Sequence, residues 1–236
     1  MQAIGQDERH ISISSSDKTG QGLHLIESAE AAVFRKVYFS NLRNLQRPYW
    51  HLTGAVTCYE SAVVFEACVF RDNQSEDALN LIRCEAKLNR VKVKNTSADG
   101  IDMDFCEADI KALFVDETAN DGLDVSGSII NIENSILQNC HDKGISVGED
   151  SDLFVSETEI KGASMAIAAK DLSMVSARNV ILQNCKQGFV AFQKKPEFGP
   201  ASIIVEHYEA TNVNKLYEIG PGSRLQLNNK VISDNF

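Results

Sequence analysis

A small residue followed by an apolar one recurs at a fixed step along the chain: Ala78-Leu79, Gly100-Ile101, Gly122-Leu123, Gly144-Ile145, Ala166-Ile167 and Gly188-Phe189, each 22 residues after the last. Gly54-Ala55 precedes the series by 24 residues. A second segment also returns, Ile136-Leu137-Gln138-Asn139-Cys140 reappearing as Ile181-Leu182-Gln183-Asn184-Cys185. A regular period of this length commits a chain to stacked units, each of which buries its apolar face against its neighbours.

Within each unit the apolar residues alternate, as in Leu79/Leu81, Ile101/Met103, Leu123/Val125 and Ile145/Val147. Period 2 means strand, with these residues on one face. Two further short alternations follow in each unit, for example Ile130-Asn131-Ile132 and Ile136-Leu137. Three short strands in 22 residues, with no helical stretch between them, predict an all-β fold, a right-handed parallel β-helix of roughly nine coils. The whole chain, 1–236, reads as one such domain, with 1–21 as an N-terminal edge, 22–232 as coils, and 42–51 and 193–200 as inserted loops. The two loops fall on opposite edges of one sheet and are expected to wall a groove, since long loops on a regular scaffold tend to carry function.

Equivalent residues of successive coils should stack into ladders about 4.8 Å apart. Cys84 and Cys106 share one ladder position, close enough for a disulfide, though stacked small apolar thiols are the plainer reading. Asn95 and Asn139 match in position, with Asn184 one residue off by count, and are expected to bond one coil to the next.

Lys plus Arg number 23 against 33 Asp plus Glu, a net charge of −10. That balance argues against nucleic acid as a partner. No apolar run reaches the roughly 18 residues of a membrane helix, so no membrane insertion is expected. The six cysteines form no C-x-x-C pair, which excludes zinc-ribbon and thioredoxin-like readings. The opening residues lack the basic and apolar regions of a signal peptide. The chain is therefore expected to be either intracellular or an excised part of an exported protein.

With Ile101 and Met103 facing in, Gly100, Asp102 and Asp104 face out, and the next coil presents Gly122, Asp124 and Ser126. The outward surface then reads as a column of Gly and Ala beside Asn80, Asp102, Asp124 and Ser146, flanked by a turn column of Asp77, Asp99, Asp121 and Lys143. Asp99 and Asp121 also suit ordinary Asp-Gly turns. Asp102 and Asp124 have no such explanation. Two carboxylates about 5 Å apart repel by roughly 1 kcal/mol in water and by a few kcal/mol at an effective dielectric near 20. A cation between them, an intruding basic side chain, or a retained proton would relieve this, the alternative being a solvated acidic face.

The coil pattern resembles the right-handed parallel β-helix superfamily, which includes pectate lyases, polygalacturonases and alginate-acting enzymes, from about Gly22 to the end. The polygalacturonase pattern places Asn-Thr-Asp, Asp-Asp and Gly-His-Gly one coil apart, followed by Arg-Ile-Lys. Ala98-Asp99-Gly100-Ile101-Asp102 resembles the first and Asn120-Asp121 the second. Lys143-Gly144-Ile145-Ser146 resembles the third with Lys in place of His, and Ala168-Ala169-Lys170 is a loose match to the last. The missing first aspartate and missing His turn the expectation from hydrolysis towards lyase or epimerase chemistry on an acidic polysaccharide. The chain also resembles the β-helix at the C-terminus of large exported bacterial proteins bearing a spore-coat-type kinase domain, which implies an extracellular or cell-surface place within a longer chain.

Uronate chemistry needs a cation to neutralise the substrate carboxylate and a base for the adjacent proton. Asp102, Asp104 and Asp124 offer the oxygen ligands that Ca²⁺ prefers. Lys170 or Lys143 is the candidate base, and Asp99 and Asp121, either of which could also add an oxygen ligand, are counted among the candidate catalytic residues. Asn80, Ser126 and Ser146 on the floor, with Arg43, Arg47, Trp50, Lys194 and Lys195 on the loops, are the candidate substrate-binding residues. The competing readings are a non-catalytic module that binds glycan or a protein through Tyr49, Trp50 and Phe198, and a plain structural stalk.

Overall fold

The structure, a computed structural model, describes residues 1–6 and 9–232, without the side chain of Trp50. It is a parallel β-helix without α-helix among these residues. One face is a nine-stranded sheet, whose strands run in chain order from Leu23–Ile26 to Lys215–Ile219. The other two faces join into a seventeen-stranded sheet. They join because the later coils fuse two strands into one of ten residues, as in Asp152–Lys161 and Met174–Gln183. Three separate strands per coil therefore hold only in the earlier coils.

The ladders follow from the repeat. Leu79 pairs with Ile101, Ile101 with Leu123, Leu123 with Ile145, Ile145 with Ile167 and Ile167 with Phe189. All six are 0 % exposed, so the predicted inward face is the core. Towards the N-terminal end Phe34 stacks on Phe65 at 5.0 Å and Phe39 on Phe70 at 4.9 Å, a ring-on-ring spacing set by the coil spacing. The turns are tight because one residue per corner takes a left-handed conformation, and Asn supplies many of these, including Asn95, Asn139 and Asn184. The Asn95 and Asn139 amides donate to Asp72 and Asp116 of the preceding coil, both at 2.8 Å. Asn184 is not out of step: the pairing of Ile136 with Glu159 and of Glu159 with Ile181 puts it in the Asn139 column. Gly54-Ala55 is corrected likewise, since Leu79 pairs with Val56 and the step there is 23.

Cys84 and Cys106 are free, buried thiols in one ladder. Backbone N–H groups donate along it, Cys84 to Cys106 Sγ at 3.4 Å, Cys106 to Ser128 Oγ at 2.9 Å and Ser128 to Ser151 Oγ at 3.0 Å. At the C-terminal end Arg224–Leu227 and Lys230–Ile232 form an antiparallel hairpin, its turn made by Asn228 and Asn229, both left-handed.

Two expectations change. The Gly and Ala column does not face out: a Cβ on Gly122 would stand 2.8 Å from Cys140 Sγ and 3.1 Å from Leu137 Cδ2, inside the solenoid. The chain turns in these positions from the corner onto the sheet, and only a small residue fits against the strand that closes the same coil, Ile136–Cys140 for Gly122. The two loops do not wall one groove either. The first leads into Gly54–Tyr59 and the second leaves Gln187–Phe192, six strands further on, about 29 Å at the strand spacing.

Candidate functional site

The acidic residues gather on the nine-stranded sheet. Asn80, Asp102, Asp124 and Ser146 are in register on successive strands, as are Asp77 and Asp99 beside them. Although this central column points away from the core, its floor is dry, with Asn80 at 1 % and Ser146 at 0 % exposure. The column runs between Asp77, Asp99 and Asp121 on the incoming side and Asp104, Ser126 and Lys170 on the outgoing side, with Asp102 and Asp124 themselves half-buried.

The repulsion expected between Asp102 and Asp124 is relieved in two of the three foreseen ways. Burial, with Asp77, Asp104 and Asp124 close by, pushes the Asp102 carboxyl up to about 9, so it keeps its proton at neutral pH. Asn80 Nδ2 donates to its Oδ2 at 3.1 Å. Asp124 has Lys170 Nζ at 3.8 Å from its Oδ1. Lys170 lies two coils away in the adjacent column and reaches back over Gly148, where a Cβ would stand 3.3 Å from its Cε. Burial also pushes Asp77 up to about 7 and Asp99 up to about 6, and it raises Asp104 and Asp121.

Asp99 and Asp121 have a turn role as well. Asp99 Oδ1 accepts from the Asp121 N–H at 2.7 Å, and Asp121 Oδ1 from the Lys143 N–H at 2.9 Å. Lys143 Nζ bonds both Asp121 and Asp142. Burial opposes its charge, yet those two carboxylates hold the ammonium above its ordinary value.

Lys195 pairs with Glu149 at the outgoing edge, where both influence Asp104. Its loop is seated by Asp171, a residue the sequence reading missed. Asp171 is 2 % exposed, and its Oδ1 accepts the N–H groups of Lys194 and Lys195 at 2.6 and 2.7 Å. Asp171→Ala leaves those donors without a partner, at a cost of about 1–3 kcal/mol. It should free the loop for tryptic cleavage after Lys194 while the circular dichroism stays that of the parent; a loop as resistant as the parent's would contradict this seat.

Arg43 lies apart, bonding Gln74 at 3.0 Å, and Arg47 sits exposed in the hairpin of Gln46–Arg47 with Trp50–His51. No hydrogen bond or ion pair among the described residues joins either to the carboxylates. The Trp50 side chain lies outside the described residues.

Four buried polar atoms on this face have no hydrogen-bond partner among the described residues: Asp77 Oδ2, Asn80 Oδ1, Asp124 Oδ1 and Ser146 Oγ. Such atoms cost free energy unless something else bonds them. A shallow depression on the seventeen-stranded sheet, lined by Val64, Glu85, Lys87 and Asp109, contains none of them. Among the described residues no three His, Cys, Asp or Glu form a group able to hold a metal ion, so Asp102, Asp104 and Asp124 do not come together as the ligand set expected for Ca²⁺. Asp102 instead accepts from the Asn80 amide, and Asp124 faces the Lys170 ammonium.

Comparison with known proteins agrees with this architecture. Residues 77–234 match the family model of the right-handed β-helix region. Curated proteins gave no match. Among solved structures, the chain is similar to the periplasmic alginate epimerase AlgG, with TM-score 0.55 and 14 % identity over 96 % of this chain and 58 % of that one. It is also similar to a point variant of the catalytic domain of a GH87 α-1,3-glucanase in complex with tetrasaccharides, with TM-score 0.52 and 10 % identity over 96 % and 59 %. At these identities the likeness is one of fold, and the chain spans under two thirds of either structure.

Proposed function

The chain belongs to the right-handed β-helix family, and from that premise we propose a carbohydrate-active protein that takes an acidic polysaccharide along its nine-stranded face. The chemistry is proton transfer on a uronate, of the elimination or epimerisation type. One observation carries the reading: a half-buried carboxylic acid that keeps its proton, Asp102, stands in register with an ion-paired carboxylate, Asp124. That the similar structures are an alginate epimerase and a glucanase supports a polysaccharide as the ligand, its acidity resting on the epimerase alone.

The two carboxyl groups divide the work. Asp124, whose side chain is 26 % exposed, accepts the proton next to the uronate carboxylate. In an elimination Asp102 gives its proton to the leaving glycosidic oxygen, so a double bond forms as the C–O bond breaks. Lys170 and Lys195 offset the negative charge of the substrate, and no step requires a metal. Lys170 thus serves the charge, and the base role passes to Asp124.

Asp102→Asn is expected to lower kcat by about 10²–10⁴-fold, the usual worth of a placed general acid. The parent should lose activity as pH rises through about 9, where Asp102 gives up its proton. The absorbance of an unsaturated uronate reports elimination, and proton NMR reports epimerisation. Binding of polyuronates without turnover would convert the reading to a glycan-binding module; no binding at all would overturn it.

A further inference from the structure

Seven consecutive strands make one face of the seventeen-stranded sheet, from Glu85–Asn89 through Glu107–Lys111, Ile129–Glu133, Asp152–Lys161, Met174–Gln183 and Ser202–Thr211 to Arg224–Leu227. The first two turn Glu85, Lys87, Glu107 and Asp109 to solvent. The next four turn Ile129, Phe154, Met174 and Ile204 outwards, all of them exposed. The alternate positions of the same strands, Ile130, Leu153, Val155 and Val175, already fill the core. A sheet with one face on the core normally carries polar residues on the other, so this stripe is apolar surface that nothing in the fold uses.

The residues around the stripe have a symmetry of sign. Asp152–Lys161 is the middle strand, with three before it and three after. One strand to either side, Ile129 and Met174 hold equivalent positions, as do Glu133 and Arg178. Two strands out, Lys111 is equivalent to Glu206, and three strands out, Glu85 is equivalent to Arg224. Apolar is matched with apolar, and each charge with its opposite. Glu85, Arg178 and Arg224 have no ion-pair partner among the described residues.

We propose that this face is a homodimer interface, on which a second copy packs sheet against sheet about a two-fold axis running along Asp152–Lys161. That rotation exchanges the strands before the axis with those after it and keeps each position along them. It sets Phe154 against its own copy and Ile129 against Met174. Glu133, Lys111 and Glu85 then meet Arg178, Glu206 and Arg224, each contact being made twice. The one like-charge pair it creates is Asp152 against itself. The face spans six strand spacings, about 29 Å, by five residues, about 17 Å. That gives about 500 Å² per copy and about 1,000 Å² in all, the low end for a specific interface, so the dimer is reversible and of micromolar affinity. The carboxyl cluster lies on the other sheet and stays open.

Sedimentation equilibrium of the full chain, from low to high micromolar concentration, tests this. The mass should double as concentration rises. Phe154→Asp should stay monomeric throughout, with the parent's circular dichroism because the position is exposed. Glu85→Arg and Arg224→Glu should each raise the dissociation constant about tenfold by opposing like charges at two contacts, and the double variant should restore it. Asp152→Asn should tighten the dimer several-fold. A parent that is monomeric at every concentration overturns the proposal and leaves the stripe to a different partner. A dimer untouched by Phe154→Asp overturns it too, placing the contact elsewhere, as at the open strand edges. So does a double variant no tighter than the single ones, because the two-fold arrangement requires Glu85 to meet Arg224.

Discussion

The melting temperature should fall as the pH rises from about 5 to about 9. Asp99, Asp77 and Asp102 are raised from 3.8 to about 6, 7 and 9, chiefly by burial. A carboxyl raised in the folded state binds a proton there that the unfolded chain has released. Between about 4 and each folded value, stability therefore drops with pH, by about 1.4 kcal/mol per unit for each proton of difference. The stabilisation is full below about pH 4 for these groups and is lost progressively up to about 9. Summed over the cluster this reaches several kcal/mol, a large part of a typical total of about 5–15. Asp102→Asn removes the widest window and still offers an oxygen to the Asn80 amide. It should melt higher than the parent at pH 8–9 and close to it near pH 4. A parent that becomes more stable from pH 5 to 8 would show that the cluster is solvated and ionised throughout.

A single added side chain should have a comparable effect. Gly122→Val places a Cβ 2.7 Å from the Gly144 carbonyl oxygen as well as against Cys140 Sγ. The oxygen belongs to the backbone of the next coil and cannot swing aside. We expect a loss of about 3 kcal/mol or more, at the upper end of overpacking costs, read as a drop in the urea midpoint or as failure to fold. Lys87→Val, at an exposed position of Glu85–Asn89, should stay within about 0.5 kcal/mol of the parent. If Gly122→Val unfolds at the parental midpoint, this column lies outside the core after all.

The misplaced glycine column shows where sequence reading stops. Leu79, Ile101 and Leu123 declared their face because alternation and the 22-residue step agree, and each ladder repeats the signal. Gly100 and Gly122 sit where strand periodicity gives way to a corner, so alternation pointed them the wrong way. The in-register pair of Asp102 and Asp124 was legible for the same reason as the core. Its relief was partly legible, as a short set of options, but which of them operates depends on burial and on the reach of Lys170 across Gly148. Asp171 carries no motif, and it matters because two N–H groups of a later loop converge on it.

The placement of the acid pair bears on how the molecule opens. In a solenoid each coil is held mainly by the coils above and below, so opening begins at the ends and works inwards. Asp99–Asp104 and Leu123–Ser126 are the fourth and fifth of nine strands counted from the Leu23–Ile26 edge. Asp102 and Asp124 thus sit in the most slowly exchanging part of the sheet, whereas Leu23–Ile26 lies on an edge free to fray. Thermal breathing at that edge would loosen the first strands while the carboxyl cluster keeps its burial, so the pH dependence of melting should survive fraying of the ends.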